Sequence, residues 1–159
     1  MSPLGLLSQD AKIVNIYAYA SGTATATSDV IDTVGYRGLC VVIINAAVHD
    51  SAVTVFKLSH SDTATNETTL ASGADIAGTS QACSIVDNTV QYIDGHPAKR
   101  FVQLTITKDA TNASAHTAVA ILYNGKSRPT IHGLGTATVG EGVAATAGET
   151  AGSWTTGTA

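Results

Sequence analysis

Charge is scarce in this chain: Asp, Glu, Lys and Arg together make up 13% of 159 residues, about half of the usual share of roughly 25%. The eight basic residues are scattered, with no cluster longer than Lys99-Arg100, and the net charge is −4. Phosphate contacts dominate nucleic-acid affinity and need a basic footprint, so no nucleic-acid partner is expected. The same shortage argues against an anionic membrane surface. No apolar run approaches the roughly 18 residues of a membrane-spanning helix. The first ten residues lack a basic stretch followed by a long apolar one, so no secretory leader is expected. Two cysteines, Cys40 and Cys83, are too few for a disulfide scaffold. Cys40 lies in an apolar run, where a free thiol behaves as a small hydrophobe. Aromatic residues are 5% of the chain, which disfavours a carbohydrate-binding module that presents exposed rings.

What is abundant is β-forming, apolar sequence. Hydrophobic residues make up 44%, enough for a chain of this length to bury a real core. Helical periodicity is hard to find and strand signals recur. Residues 13–19 are rich in β-branched and aromatic side chains. Residues 39–47 form a near-continuous apolar run, Leu-Cys-Val-Val-Ile-Ile-Asn-Ala-Ala, which suits a central strand covered on both faces. Residues 53–60 alternate, with Val53, Val55 and Lys57 opposite Thr54, Phe56 and Leu58. Residues 101–107 set Val102, Leu104 and Ile106 against Gln103, Thr105 and Thr107. Residues 117–123 set Val119, Ile121 and Tyr123 against Ala118, Ala120 and Leu122. Shorter candidates are 28–33, 67–70, 82–87 and 90–93. Turn residues separate these runs at Gly35, Ser72-Gly73, Asp87-Asn88, Asp94-Gly95, 109–112 and Asn124-Gly125. Seven to nine short strands at this spacing predict an all-β chain, an antiparallel β-sandwich or jelly roll. The expected core includes Val41, Ile43, Phe56, Leu58, Val102, Leu104, Ile106, Val119 and Ile121.

The chain divides into an N-terminal arm and first strand (1–27), a sandwich core (28–130) and an extended C-terminal arm (131–159). From His132 onward the sequence is mainly Gly, Ala and Thr, with Glu141 and Glu149 as its formal side-chain charges. Its large apolar residues are few, namely Leu134, Val139, Val143 and Trp154. Such a composition buries too little area to order itself alone. These four residues are therefore the candidate contacts to a partner; the alternative is that the segment packs back on its own sandwich.

Motifs that could carry chemistry fail on context. Gly125-Lys126-Ser127 suggests a phosphate loop, but the glycine required with four residues between it and Gly125 is Ala120, inside a strand. Gly133-Leu134-Gly135 begins a dinucleotide fingerprint whose third glycine is misplaced and which has no βαβ unit around it. Ser59-His60-Ser61-Asp62 collects triad residue types, but neighbours on a strand point to opposite faces. Asp62 with Thr63 and Thr65 reads as a turn ending a strand. The five histidines, His49, His60, His96, His116 and His132, form no His-x-His or His-Glu-x-x-His pair. Neither a metal nor another cofactor is expected, and the chain is read as a non-enzyme.

One pattern spans residues 28–130. It comprises Ile31-Asp32-Thr33-Val34-Gly35-Tyr36, then Lys57-Leu58-Ser59-His60-Ser61-Asp62, then Tyr92-Ile93-Asp94-Gly95, then Lys99-Arg100-Phe101-Val102-Gln103-Leu104-Thr105-Ile106-Thr107, and finally Ser127-Arg128-Pro129. In order and spacing this resembles the capsid decoration, or cement, proteins of tailed phages. The resemblance implies a β-sandwich on the outer capsid surface, assembled in the host cytoplasm, that clamps major capsid protein subunits, often as a homotrimer. It implies no catalytic residues. The Gly/Ala/Thr-rich segment after Pro129 departs from the pattern. The alternative reading is a carbohydrate- or host-binding sandwich on the phage head or tail.

Overall fold

The computed structural model describes residues 11–48 and 52–125. Every regular element among them is a strand, and every pairing is antiparallel. In chain order these are β1 (Ala11–Gly22), β2 (Ala26–Thr27), β3 (Ile31–Asp32), β4 (Gly38–Val48), β5 (Val55–Ser61), β6 (Thr63–Asn66), β7 (Thr69–Ala71), β8 (Ala74–Asp75), β9 (Gln81–Ala82), β10 (Thr89–Gly95), β11 (Phe101–Thr107) and β12 (Ser114–Tyr123). The first sheet runs β1-β12-β4-β10. In the second, β11 and β5 are flanked by the short strands β2 and β3 on one side and β8 and β9 on the other. The chain crosses from one sheet to the other between β1 and β2, β3 and β4, β4 and β5, β9 and β10, β10 and β11, and β11 and β12. This is the antiparallel sandwich expected from the spacing of apolar runs and turns.

The core lies between the sheets because alternation gives each long strand one apolar inner face. Val14 and Ile16 of β1, Leu39, Val41 and Ile43 of β4, Phe56 and Leu58 of β5, and Val102, Leu104 and Ile106 of β11 are all buried in one cluster. The strand β12 departs from expectation. Its inner face is Ala118, Ala120 and Leu122, whereas Val119 and Ile121 point outward and are only partly covered. Larger side chains from the facing sheet, Phe56 and Leu104 among them, fill the same cluster, so small residues at the inner positions of β12 complete it.

Side chains hold the turns the sequence marks. Asp109 Oδ1 accepts from the amides of Thr111 (2.7 Å) and Asn112 (2.9 Å), and Asp109 Oδ2 accepts from Val53 N (3.2 Å). These bonds hold its carboxyl below the ordinary carboxylate range. Asn88 and Asn124 adopt left-handed backbone, φ 56° and 54°, as asparagine does more readily than most residues. The turn after β5 differs from the reading centred on Asp62: Ser61 Oγ accepts from Thr63 N at 3.3 Å, while Asp62 pairs with Lys99 at 3.5 Å. The short stretch 67–70 is one side of a separate β6-β7 hairpin, and 82–87 is strand only at its first residue.

Leu104 lies fully buried in this cluster. Replacing it with alanine should lower unfolding free energy by about 2–5 kcal/mol, measured by urea unfolding. A loss well under 1 kcal/mol would contradict the placement of the core between these two sheets.

Candidate functional site

Three of the five segments of the pattern, 31–36, 57–62 and 99–107, come together at the second sheet, whereas Tyr92-Ile93-Asp94-Gly95 lies in β10 of the first sheet and 127–129 lies outside the described residues. Phe101 of β11 pairs with Asp32 of β3 on one side and with Ser61 of β5 on the other, and Val102 lies between Ile31 and His60. Arg100 Nε and Nη2 reach the two oxygens of Asp32 at 2.9 and 2.6 Å, a bidentate pair, and the guanidinium lies 4.7 Å from the Phe101 ring centre. Thr33 donates from its amide (2.9 Å) and hydroxyl (2.7 Å) to the Arg100 carbonyl. Asp32 Oδ1 also accepts from Val34 N (3.0 Å), and Tyr36 N donates to the Thr33 carbonyl (3.0 Å). Gly35 turns the chain with φ 85°, a left-handed conformation that favours glycine. The Asp-Thr-x-Gly-Tyr signature thus ties a turn to the start of β11, and its work is architectural.

A buried polar cluster crosses the opposite end of the sandwich. Asn45 Nδ2 donates to Gln91 Oε1 (2.8 Å) and Thr89 Oγ1 (3.1 Å), which leaves Asn45 Oδ1 as an acceptor. That oxygen lies 3.1 Å from His116 Nδ1, so Nδ1 carries the proton and Nε2 accepts from Ser114 Oγ at 2.8 Å. Thr54 Oγ1 is 3.2 Å from the same serine oxygen. Lys108 Nζ donates to the carbonyls of Ser114 (3.1 Å) and Ala20 (3.3 Å). Phe56, from the other sheet, meets the His116 ring edge-on, centres 5.2 Å apart. Desolvation, with Lys108 nearby as the smaller cause, pushes His116 down to about 4. Burial lowers Lys108 also.

Ser114, His116 and Asn45 have the connectivity of a nucleophile, a base and an orienting group. Access decides against that use, because Ser114 is 1% exposed and His116 fully buried. A hydroxyl sealed in the core meets no carbonyl to attack. The cluster satisfies polar groups inside the fold and fixes the register of β4, β10 and β12. A lone histidine such as His116 is more often a surface or satisfied core residue than a ligand, and the structure shows the satisfied core residue, but its partners come from distant parts of the sequence. The available signal was Ser114 and His116 two apart on one strand face, with Asn45 interrupting an apolar run.

The remaining sites resolve simply. His60 lies in β5 and His96 just after β10, and among the described residues no group of three or more His, Cys, Asp or Glu could hold a metal. Both thiols are raised by burial, Cys83 to about 11, the opposite of an activated nucleophile. Leu134, Val139, Val143 and Trp154, with His49 and His132, lie outside the described residues.

The outward face of the first sheet was not anticipated as a site. The strand register lays three rows across it. Ile13, Ile121, Cys40 and Asp94 form one; Asn15, Val119, Val42 and Tyr92 the next; Thr117, Ile44 and Val90 the third. Val90 and Tyr92 are 62% and 63% exposed and Ile13 51%. Asp94, the charge in these rows, stands at one end, where its Oδ1 accepts from Tyr123 Oη at 2.6 Å and helps push that phenol up to about 12. Asn15 Oδ1 is shielded from water and has no hydrogen-bond partner among the described residues.

The fold and these surfaces define an all-β antiparallel sandwich with a sealed polar cluster and an open apolar face. No protein-family model matches the chain, and no curated protein sequence matches it. Among solved structures, it resembles a chain in the structure of infectious bursal disease virus, Gt strain, with a TM-score of 0.43 and 12% identity over 75% of this chain and 33% of that one. The chain spans about a third of the length of that viral chain.

The depressed His116 gives a signed pH dependence. Its ordinary value is 6.5 and its folded value about 4, so between these the unfolded chain binds more protons. Stability is then full above about pH 6.5 and falls as pH drops toward 4, by about 3 kcal/mol in all. His116→Gln should flatten this slope in urea unfolding measured from pH 7 to 4. Equal slopes in variant and wild type would contradict the assignment.

Proposed function

We propose that this chain is a structural protein of a virion, which decorates the capsid of a tailed phage and bridges its major capsid protein subunits. The observation that carries the reading is the convergence of three of the five pattern segments. Stretches far apart in sequence, 31–36, 57–62 and 99–107, meet in adjacent strands locked by Asp32 and Arg100. The resemblance to decoration proteins therefore rests on a coherent structural unit. The role is mechanical, with no reaction and no cofactor: a rigid sandwich sits across a junction between subunits and stabilises the shell by mass action on the bound state. Repetition over many symmetric sites lets modest energies accumulate. The resemblance also suggests a homotrimer on the outer surface.

Exposed Tyr19 and Tyr92 are what a carbohydrate-binding sandwich would use. Tyr92, however, has Val90, Val42 and Val119 around it on the sheet face, and the carboxylate on that face, Asp94, is engaged by Tyr123 Oη, which leaves few polar groups to orient a sugar.

Purified full-length chain added to expanded capsids of its phage, assembled without it, should co-sediment at a saturable, symmetry-related stoichiometry. It should also raise the temperature at which the shells break. Free chain left in the supernatant at every concentration, or specific retention on a glycan array, would contradict the proposal.

A further inference from the structure

We propose that the sealed cluster around His116 is an acid-sensitive latch: when the imidazole takes up a proton, the end of the sandwich that it closes opens locally, while the body of the core and the end held by Asp32 and Arg100 stay shut. The inference goes beyond the virion reading and does not rest on it. His116 is fully buried, and each ring nitrogen has one partner. Nδ1 donates to Asn45 Oδ1, so an added proton must go to Nε2. The hydroxyls can turn to receive it, with Ser114 Oγ accepting from the ring and donating to Thr54 Oγ1, since either atom of that pair can donate. The charge, in contrast, finds no counterpart. The ring is met by Asn45 from β4, Ser114 from β12, Ala20 opposite it on β1, and Phe56 from β5, all uncharged. Behind Asn45, β10 supplies Thr89 and Gln91. The charged group that acts on the ring is Lys108, a second cation, whose ammonium is held by the carbonyls of Ser114 and Ala20. The carboxylates of this end, Asp87 and Asp109, accept from the backbone amides of Val48, Val53, Thr111 and Asn112 instead. Two desolvated cations without an anion are costly, and water entering the cluster relieves that cost.

The place of the cluster makes the opening local. Its members hold strand ends and connections: Thr54 just before β5, Lys108 just after β11, Ser114 as the first residue of β12, and Ala20 near the close of β1. The pairing is already interrupted beside them. The register of β12 shifts against β4 between Ala115 and His116, and that of β1 against β12 between Tyr17 and Ala20. Irregularities of this kind end regular pairing. The strand ends can therefore part while Ala118, Ala120 and Leu122 stay packed in the core. The pH window belongs to His116. Its ring titrates at 6.5 in water and about 4 when enclosed, so opening grows as pH falls between these values. Asp109, held below its ordinary 3.8 by the amides it accepts from, keeps its charge throughout that window. Acidity thus alters one surface of the molecule without unfolding it.

The test is amide hydrogen exchange of the full-length chain, read residue by residue by NMR at pH 7 and pH 5 and corrected for the pH dependence of chemical exchange. Three groups of amides are compared: Val48, Cys83 and residues 114–116 at the latch; Thr33, Val34 and Tyr36 at the Asp32 end; and residues 102–106 in the core. Latch amides should be the less protected against core amides at both pH values, and insensitive to low urea. Their opening should rise by roughly 20-fold from pH 7 to pH 5, for a ring that titrates at 6.5 when open and about 4 when closed. The Asp32-end amides should not change. His116→Gln, whose amide can still donate to Asn45 and accept from Ser114, should abolish the rise at the latch. Latch amides that exchange as slowly as the core and with the same urea dependence would show that opening is global and overturn the inference. So would an acid rise of the same size at the Asp32 end, or one that survives in His116→Gln. Should that variant fail to fold, the wild-type comparison of the three groups decides alone.

Discussion

The structure turns on the pairing of β4 with β12, two strands that are apolar on both faces. One face can be satisfied inside the molecule. There Leu39, Val41 and Ile43 meet Ala118, Ala120 and Leu122 in a core closed by β5 and β11. The other face carries Val42, Ile44, Val119 and Ile121 outward, and the second sheet cannot cover it because it lies on the opposite side. A sandwich built only to fold would place threonine or charge at these positions, as antiparallel sheets with one wet face do. This apolar surface is more than folding of the sandwich requires.

Specificity at the two ends of the sandwich comes from polar groups rather than from packing. At one end Asp32, Thr33 and Arg100 fasten a turn to β11 through charge-assisted and backbone hydrogen bonds. At the other, Asn45, His116, Ser114, Thr54 and Lys108 form a sealed network that joins β4, β12 and the segments leading into β5 and β12. Apolar strands of uniform character are prone to slip by two residues, since such a slip keeps the same face inward. A buried histidine with a partner at each nitrogen resists that slip, because displacement would leave desolvated polar groups unpaired. The triad-like connectivity around Ser114 is thus accounted for by the fold.

Strand identity was legible wherever alternation was strong. Residues 101–107 form the strand the alternation predicts, and Phe56 and Leu58, expected in the core, are buried on the inner face of β5. The run at 39–47 suits a strand covered on both faces, and among the described residues the second sheet covers one of them. Alternation failed at β12, where both faces are apolar and hydrophobicity pointed to the larger Val119 and Ile121. Volume decided instead, and the alanines went inward. Of the β6-β7 hairpin only 67–70, which overlaps β7, is legible as strand, because β6 is Thr-Ala-Thr-Asn with little periodicity. The buried cluster was missed because its members come from 45, 54, 108, 114 and 116, and only the fold brings these together. Leu134, Val139, Val143 and Trp154 were named from composition, on a segment outside the described residues.

The most direct test of the proposed virion role is cryo-electron microscopy of phage particles prepared with this chain, at a resolution that places side chains. The account predicts density for the sandwich at symmetry-related sites on the shell, bridging major capsid protein subunits. Particles with no such density would contradict it.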